Sequence, residues 1–153
     1  MKIILTFLLL AISCQTFAQS NDNEAIKSTI NRLFEGMKKG DSVIVRSVFH
    51  PKAILQSVGF STKNNKNYFN SDSRLEGFFK SIGTPHADVW DEKPGNYDIK
   101  VDNQMAQVWV SYAFYLGGKF NHCGIDNITL YKEEKDWKII YLIDTVRKDN
   151  CIK

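Results

Sequence analysis

Four long runs of alternating apolar and polar residues, at 87–101, 104–117, 120–132 and 137–147, constrain the fold more than any other feature of the chain. A period of two puts successive side chains on opposite faces of a strand. Asp102-Asn103, Gly117-Gly118-Lys119 and the segment from Glu133 to Asp136 separate the runs. Each separator is short enough to be a hairpin loop, which predicts a four-stranded antiparallel meander. Pro94-Gly95 interrupts the first run and predicts a bulge or bend there.

Upstream the period changes. Ile26, Ile30, Leu33, Phe34 and Met37 fall on one stripe of an amphipathic helix that ends at Lys38-Lys39-Gly40. Asp41 or Ser42 caps a short second helix through Val43, Val45, Val48 and Phe49, which Pro51 halts. Ala53 to Val58 reads as a strand, and residues 59–71 as a loop or irregular edge hairpin of unassigned pairing. Ser73-Arg74-Leu75-Glu76 reads as a capping box opening a third helix through Phe78, Phe79 and Ile82, which Gly83 closes. Helices first and a meander afterwards make the fold class α+β.

The first 18 residues, MKIILTFLLLAISCQTFA, place one cation before a short apolar stretch and then small and polar residues. That is the pattern of a secretory signal peptide, with cleavage expected after Ala18. A lipoprotein signal with Cys14 as the anchor is the alternative. The stretch is shorter than the roughly 20 residues a membrane span needs. What remains, residues 19–153, is expected to be one domain in a secreted or periplasmic setting. Removing Lys2 leaves a net charge of about +2 without a clustered basic face. Nucleic acid is therefore not expected as a partner. Cys123 and Cys151 remain in a compartment that permits oxidation, and both a disulfide and two free thiols stay open.

Loop lengths give trial registers for the meander. With Leu116 facing Phe120, Phe114 pairs with His122, Tyr112 with Gly124 and Val110 with Asp126. With Tyr131 facing Trp137, Ile128 pairs with Ile140, Asp126 with Leu142, Gly124 with Asp144 and His122 with Val146. One face then carries Val108, Val110, Ile128, Leu130, Ile140, Leu142 and Val146 together with Tyr112, Phe114, His122, Asp126 and Asp144. Gly124 leaves a vacancy among the polar members. An apolar wall with a few convergent polar groups is the composition of a small-molecule pocket, so Tyr112, Phe114, His122, Asp126 and Asp144 are candidate ligand-binding residues. His122, Asp126 and Asp144 are also candidate acid–base residues. A purely structural polar network is the competing reading. Each Asp needs a partner because an unpaired buried carboxylate is costly, and His122 or Arg147 is expected to supply it. Too few dependable ligands surround His122 for a metal, and no cofactor is expected. The opposite face carries Trp109, Tyr115, Ile125, Tyr131, Trp137, Ile139, Tyr141 and Ile143, which a second subunit or the chain's own helices would cover. Trp90, Asp91 and Glu92 are expected near the mouth of any cavity.

The helix from Ala25 to Lys39 followed by Gly40-Asp41, the strand pair VWVSYAFYLGGKFNHCG and the closing strand from Trp137 to Arg147 together resemble the nuclear transport factor 2-like superfamily. Within it the chain resembles the branch named SnoaL-like and "putative lumazine-binding". The resemblance implies a cone-shaped α+β barrel with a cavity between the concave sheet and the helices, often in a homodimer packed through the outer sheet face. Ketosteroid isomerase-like and polyketide cyclase-like enzymes share that architecture with many non-catalytic domains, so fold alone does not decide between catalysis and binding.

Overall fold

The computed structural model describes residues 22–72 and 74–151 of the 153-residue chain. The expected signal peptide, its cleavage point and the alternative anchor at Cys14 lie outside the described residues. So does Ser73, the first residue of the expected capping box.

Helix α1 spans residues 22–39 and buries the expected stripe of Ile26, Ile30, Leu33 and Phe34. Gly40 ends it in the left-handed region, at φ +66°. Asp41 caps α2 (Ser42–Val48), its Oδ1 accepting from the N–H groups of Val43 and Ile44 at 3.0 Å each. The two helices approach closely at Gly36, where a Cβ would lie 2.7 Å from the Val45 side chain. α2 stops one residue earlier than expected. Phe49 opens β1 (Phe49–Ser61), and Pro51 sits within that strand, where the pairing is irregular between Phe49 and Ile54. Proline's missing donor is tolerated at such a break.

β2 (Lys66–Asn70) folds back on β1 from Ser57↔Asn70 to Ser61↔Lys66, so the unassigned segment is an edge hairpin. α3 (Leu75–Gly83) follows. Arg74 stands at its N-cap without a side-chain cap bond, one residue later than the N-cap of the expected capping box. The Glu76 carboxylate accepts both guanidinium N–H groups of Arg46, at 2.8 Å each.

The meander comprises β3 (Trp90–Asp102), β4 (Met105–Leu116), β5 (Lys119–Glu133) and β6 (Asp136–Val146). The six-stranded sheet has the order β2-β1-β6-β5-β4-β3, with β1 and β6 parallel and all other neighbours antiparallel. The three helices pack on its concave face, joining Val108, Val110, Ile128, Leu130, Ile139 and Leu142 in one apolar core. This is the expected α+β cone.

Two bulges correct the trial registers. In the β4–β5 pair, Phe114↔His122, Tyr112↔Gly124 and Val110↔Asp126 are as expected, but a shift after Phe114 makes Leu116 face Lys119 rather than Phe120. In the β5–β6 pair the hairpin turn is tighter than expected, Glu133 facing Asp136, and a second shift follows between Thr129 and Leu130. Asp126 therefore faces Asp144, not Leu142, and Ile128 faces Leu142, not Ile140. The total slip is two residues, so the expected inward face of Asp126, Leu142 and Asp144 survives. Below the bulge the faces exchange. Trp137 and Ile139, expected outside, are 3 % and 0 % exposed in the core, and Ile140 is only half-buried.

On the outer face Trp109 and Tyr131 are exposed, while Cys123 and Ile125 are buried. Cys123 is joined to Cys151 by a disulfide with Cα atoms 5.8 Å apart. Backbone bonds between Cys123 and Arg147, 2.9 Å in each direction, lay the end of the chain against β5.

Candidate functional site

Between the concave sheet and helices α1 and α3 lies a cavity of about 500 Å³. Leu33, Phe34 and Met37 of α1, Phe78 of α3, Trp90 of β3 and Phe114 of β4 give it an apolar wall. Tyr112, Phe114, His122, Asp126 and Asp144, the five residues proposed from sequence, all line it. Further polar groups line it beside them, among them Glu92, expected near the mouth, and Ser57, which nothing in the sequence marked.

Glu92 reaches the cavity because of the irregularity at Pro94-Gly95. Along the lower part of β3, Tyr97, Ile99 and Val101 pair with the inward residues Val110, Val108 and Ala106. Past the shift between Pro94 and Tyr97, Glu92 pairs with Phe114 and Trp90 with Leu116. One extra residue flips the strand's facing, so even-numbered side chains replace odd-numbered ones inside. The bulge is held by the Asn96 N–H, which donates to Ser111 Oγ at 3.2 Å. Gly95 is required beside it, since a Cβ there would lie 2.4 Å from the same oxygen. Asp91 turns the other way, to Lys38 at 3.2 Å. Of the three residues expected at the mouth, Trp90 and Glu92 thus line the cavity and Asp91 does not.

Asp126, 3 % exposed, keeps its proton and hydrogen-bonds through it to the Glu92 carboxyl. Burial pushes both groups up, Glu92 to about 8, and the nearby Asp144 charge adds to this. Asp144 is also raised by burial, opposed by hydrogen bonds from Ser57 and Tyr112. The partners expected for the two Asp residues are therefore different ones. Asp126 pairs with another carboxyl, and Asp144 with two hydroxyls. Arg147 is engaged elsewhere, donating to Thr145 Oγ1 and the Asn150 carbonyl, both at 3.3 Å.

Tyr112 fills the vacancy expected at Gly124. A Cβ on Gly124 would stand 1.7 Å from the Thr145 carbonyl oxygen and 2.6 Å from the Tyr112 ring. Glycine allows the ring to cross β5, where its hydroxyl donates to the Thr145 carbonyl at 2.8 Å, with Asp144 Oδ2 at 3.3 Å. Burial and the surrounding carboxyl charges hold the phenol well above its ordinary range. Tyr97 is likewise pushed up to about 12 by burial and by Asp126.

His122 lies at the rim of the cluster, stacked at a tilt on Phe114 with ring centroids 4.9 Å apart. Its Nδ1 is 2.8 Å from Asn121 Oδ1, and no hydrogen bond joins it to either Asp among the described residues. Burial lowers its basicity, and the charge of Lys148 lowers it further. An arrangement in which Asp144 orients His122 is thus not present. Cys123, its sequence neighbour, points to the opposite face. His86 stacks on Trp90 with centroids 4.0 Å apart and its Nε2 is 2.8 Å from the Ser81 carbonyl. No group of three or more His, Cys, Asp or Glu among the described residues is arranged to hold a metal ion.

The signal for the inward facing of Glu92 was present in the sequence. Pro94-Gly95 marks a bulge, and a bulge reverses facing. Ser57 carried no such mark, because its place depends on the parallel pairing Ser57↔Asp144 between distant strands.

Solved structures with this architecture are numerous. An NTF2-like protein of unknown function from Shewanella baltica is 21 % identical over 85 % of this chain and 97 % of its own, with a TM-score of 0.61. An NTF2-like protein with a cystatin-like fold from Novosphingobium aromaticivorans reaches a TM-score of 0.70 at 14 % identity, covering 90 % and 89 %. A protein of the same organism described as "Putative Scytalone Dehydratase" has a TM-score of 0.66 at 14 % identity, covering 90 % and 93 %. These likenesses concern the fold. No curated protein matches the chain. The family model described as "Putative lumazine-binding" matches residues 21–141. The chain belongs to that family and has the fold of the NTF2-like structures.

Proposed function

We propose that this is an exported domain that binds a small, partly apolar molecule in its cone. The observation that carries this reading is the lining of the cavity: α1 and α3 contribute Leu33, Phe34, Met37 and Phe78, and the sheet contributes Glu92, Asp126, Asp144 and Tyr112 beside Trp90 and Phe114. Such a lining orients a ligand with one apolar end and one polar end. Export rests on the N-terminal signal pattern and is supported by the Cys123–Cys151 disulfide, a bond that persists in oxidising compartments. A second copy covering exposed Met105, Trp109 and Tyr131 is part of the same proposal.

A second reading, an acid–base enzyme of the isomerase, cyclase or dehydratase kind, is favoured by one observation. Asp126 and Glu92 are hydrogen-bonded carboxyls that burial keeps protonated inside a largely apolar cavity, which is how a carboxyl group is kept able to donate near neutral pH. In that reading the pair, rather than His122, moves the proton. Tyr112 would have to release the Thr145 carbonyl before it could donate to substrate.

Gly77 offers a test. It lines the cavity from α3, is exposed, and a Cβ there meets only Arg74 Cβ, at 4.0 Å. Gly77→Trp should plug the cavity while leaving the carboxyl cluster and fold intact. Compounds that raise the Tm of the wild type in a thermal-shift screen are expected to lose that effect on the plugged variant. Equal stabilisation of both proteins would count against the cavity as the binding site, and turnover of a bound compound would favour the second reading.

A further inference from the structure

We infer that the polar end of the ligand is a protonated amine. The inference rests on the binding reading above and concerns which chemistry the carboxyl side of the cavity selects. Glu92 on β3, Asp126 on β5 and Asp144 on β6 converge from three strands on one side of the cavity. Among the described residues no Lys, Arg or His forms an ion pair with any of the three. Asp126 is 3 % exposed and has another carboxyl as its hydrogen-bond partner. Buried acids that ionise are ordinarily paired with a cation or a metal. Here the protein supplies neither, and the space in front of the acids is a cavity large enough for an organic molecule.

The remaining charged and titratable groups agree. Arg74, the cation that lines the cavity, is exposed at its α3 side, and His122 stands at the rim with its basicity lowered. Tyr97 and Tyr112 face the cluster as neutral phenols. An anionic ligand would meet three acids and no buried cation. The apolar wall includes Trp90 and Phe114 with ring centroids 6.3 Å apart, edge to face, and such faces favour a flat apolar body and an adjacent cation. A metal ion is disfavoured because the acids do not form a ligand set. The proton balance is clear: an incoming ammonium takes the place of one carboxyl proton of the Asp126–Glu92 pair as the counter-charge, and that proton leaves to solvent.

The test is calorimetric titration of the mature wild-type protein with three probes of one shape: tryptamine, its alcohol counterpart tryptophol, and indole-3-acetate. Tryptamine is expected to bind about tenfold or more tightly than tryptophol, with indole-3-acetate weakest. Repeating the tryptamine titration in buffers of different ionisation enthalpy should reveal proton release on binding. Glu92→Gln, which alters a half-buried residue and keeps its shape, should erase both the preference and the release. Tighter or equal binding of tryptophol or indole-3-acetate overturns the inference and leaves the cavity's binding role standing. Binding of none of the three at millimolar concentration overturns both. A Glu92→Gln variant that is folded and keeps the full amine preference and proton release also overturns the inference.

Discussion

Asp126 and Asp144 stand directly opposite one another on β5 and β6, both turned into the same cavity. Acidic side chains directly across an antiparallel pair repel when ionised. The chain keeps them together by burying Asp126 as a proton donor to Glu92 and by giving Asp144 the hydroxyls of Ser57 and Tyr112. Protonation, hydrogen bonding and cavity shape are therefore one problem at this site, and each can be perturbed separately.

Stability should fall as pH rises. Glu92 has its ordinary value of 4.5 in the unfolded chain and about 8 in the folded one, so the folded state binds more protons between those limits. Below 4.5 the group is protonated in both states; above about 8 its full penalty applies. The slope is at most about 1.4 kcal/mol per pH unit for one group. Glu92→Gln should flatten this slope and raise the Tm at pH 8 relative to the wild type. Denaturant titrations across that range would check it, and a wild-type stability that is flat or rises from pH 5 to 8 would count against a protonated Glu92.

Gly124→Ala should be among the most damaging single substitutions in the sheet. Its methyl group would meet the Thr145 carbonyl and the Tyr112 ring, with no flexible chain end to move aside for the former. A loss of about 3 kcal/mol or more is expected, measured by urea unfolding. A loss below about 1 kcal/mol would mean that Tyr112 does not cross β5 as described.

Tyr112→Phe removes the proton given to the Thr145 carbonyl and leaves the ring in place. A cost of about 1–3 kcal/mol follows from the carbonyl left without its donor. With one of its two hydroxyl partners gone, the Asp144 carboxyl should also titrate higher than in the wild type. Carboxyl ¹³C NMR titration of the two proteins reads that shift directly.

Replacing Cys151 by Ser opens the loop closed across 28 residues. About 2–4 kcal/mol of stability should be lost, and the tail from Arg147 onward should exchange its amide hydrogens faster. Peptide mapping without reduction would show the Cys123–Cys151 bridge in the wild type.

The architecture was legible because it depends on local signals. The stripe from Ile26 to Met37, Gly40 after it, Asp41 as a cap and the four alternating runs each specify their own element. Facing was harder. The Pro94-Gly95 break was visible, but its consequence, that Glu92 turns inward, follows only once the bulge is counted as one residue of slip. No residue type announces the bulge at Thr129 and Leu130, which moved Asp144 opposite Asp126 and drew Trp137 and Ile139 into the core. The expected partners of the acids failed as well: the Pro94-Gly95 bulge turned Glu92 toward Asp126, the parallel β1–β6 pairing set Ser57 beside Asp144, and Tyr112 reached Asp144 across Gly124.

Native mass spectrometry of the protein purified from its own cells, beside Gly77→Trp purified the same way, tests the central claim most directly. A small molecule is expected bound non-covalently to the wild type, released on denaturation, and absent from the plugged variant. A wild-type protein that carries nothing, or a molecule retained equally by both proteins, would contradict the cavity as the site of function.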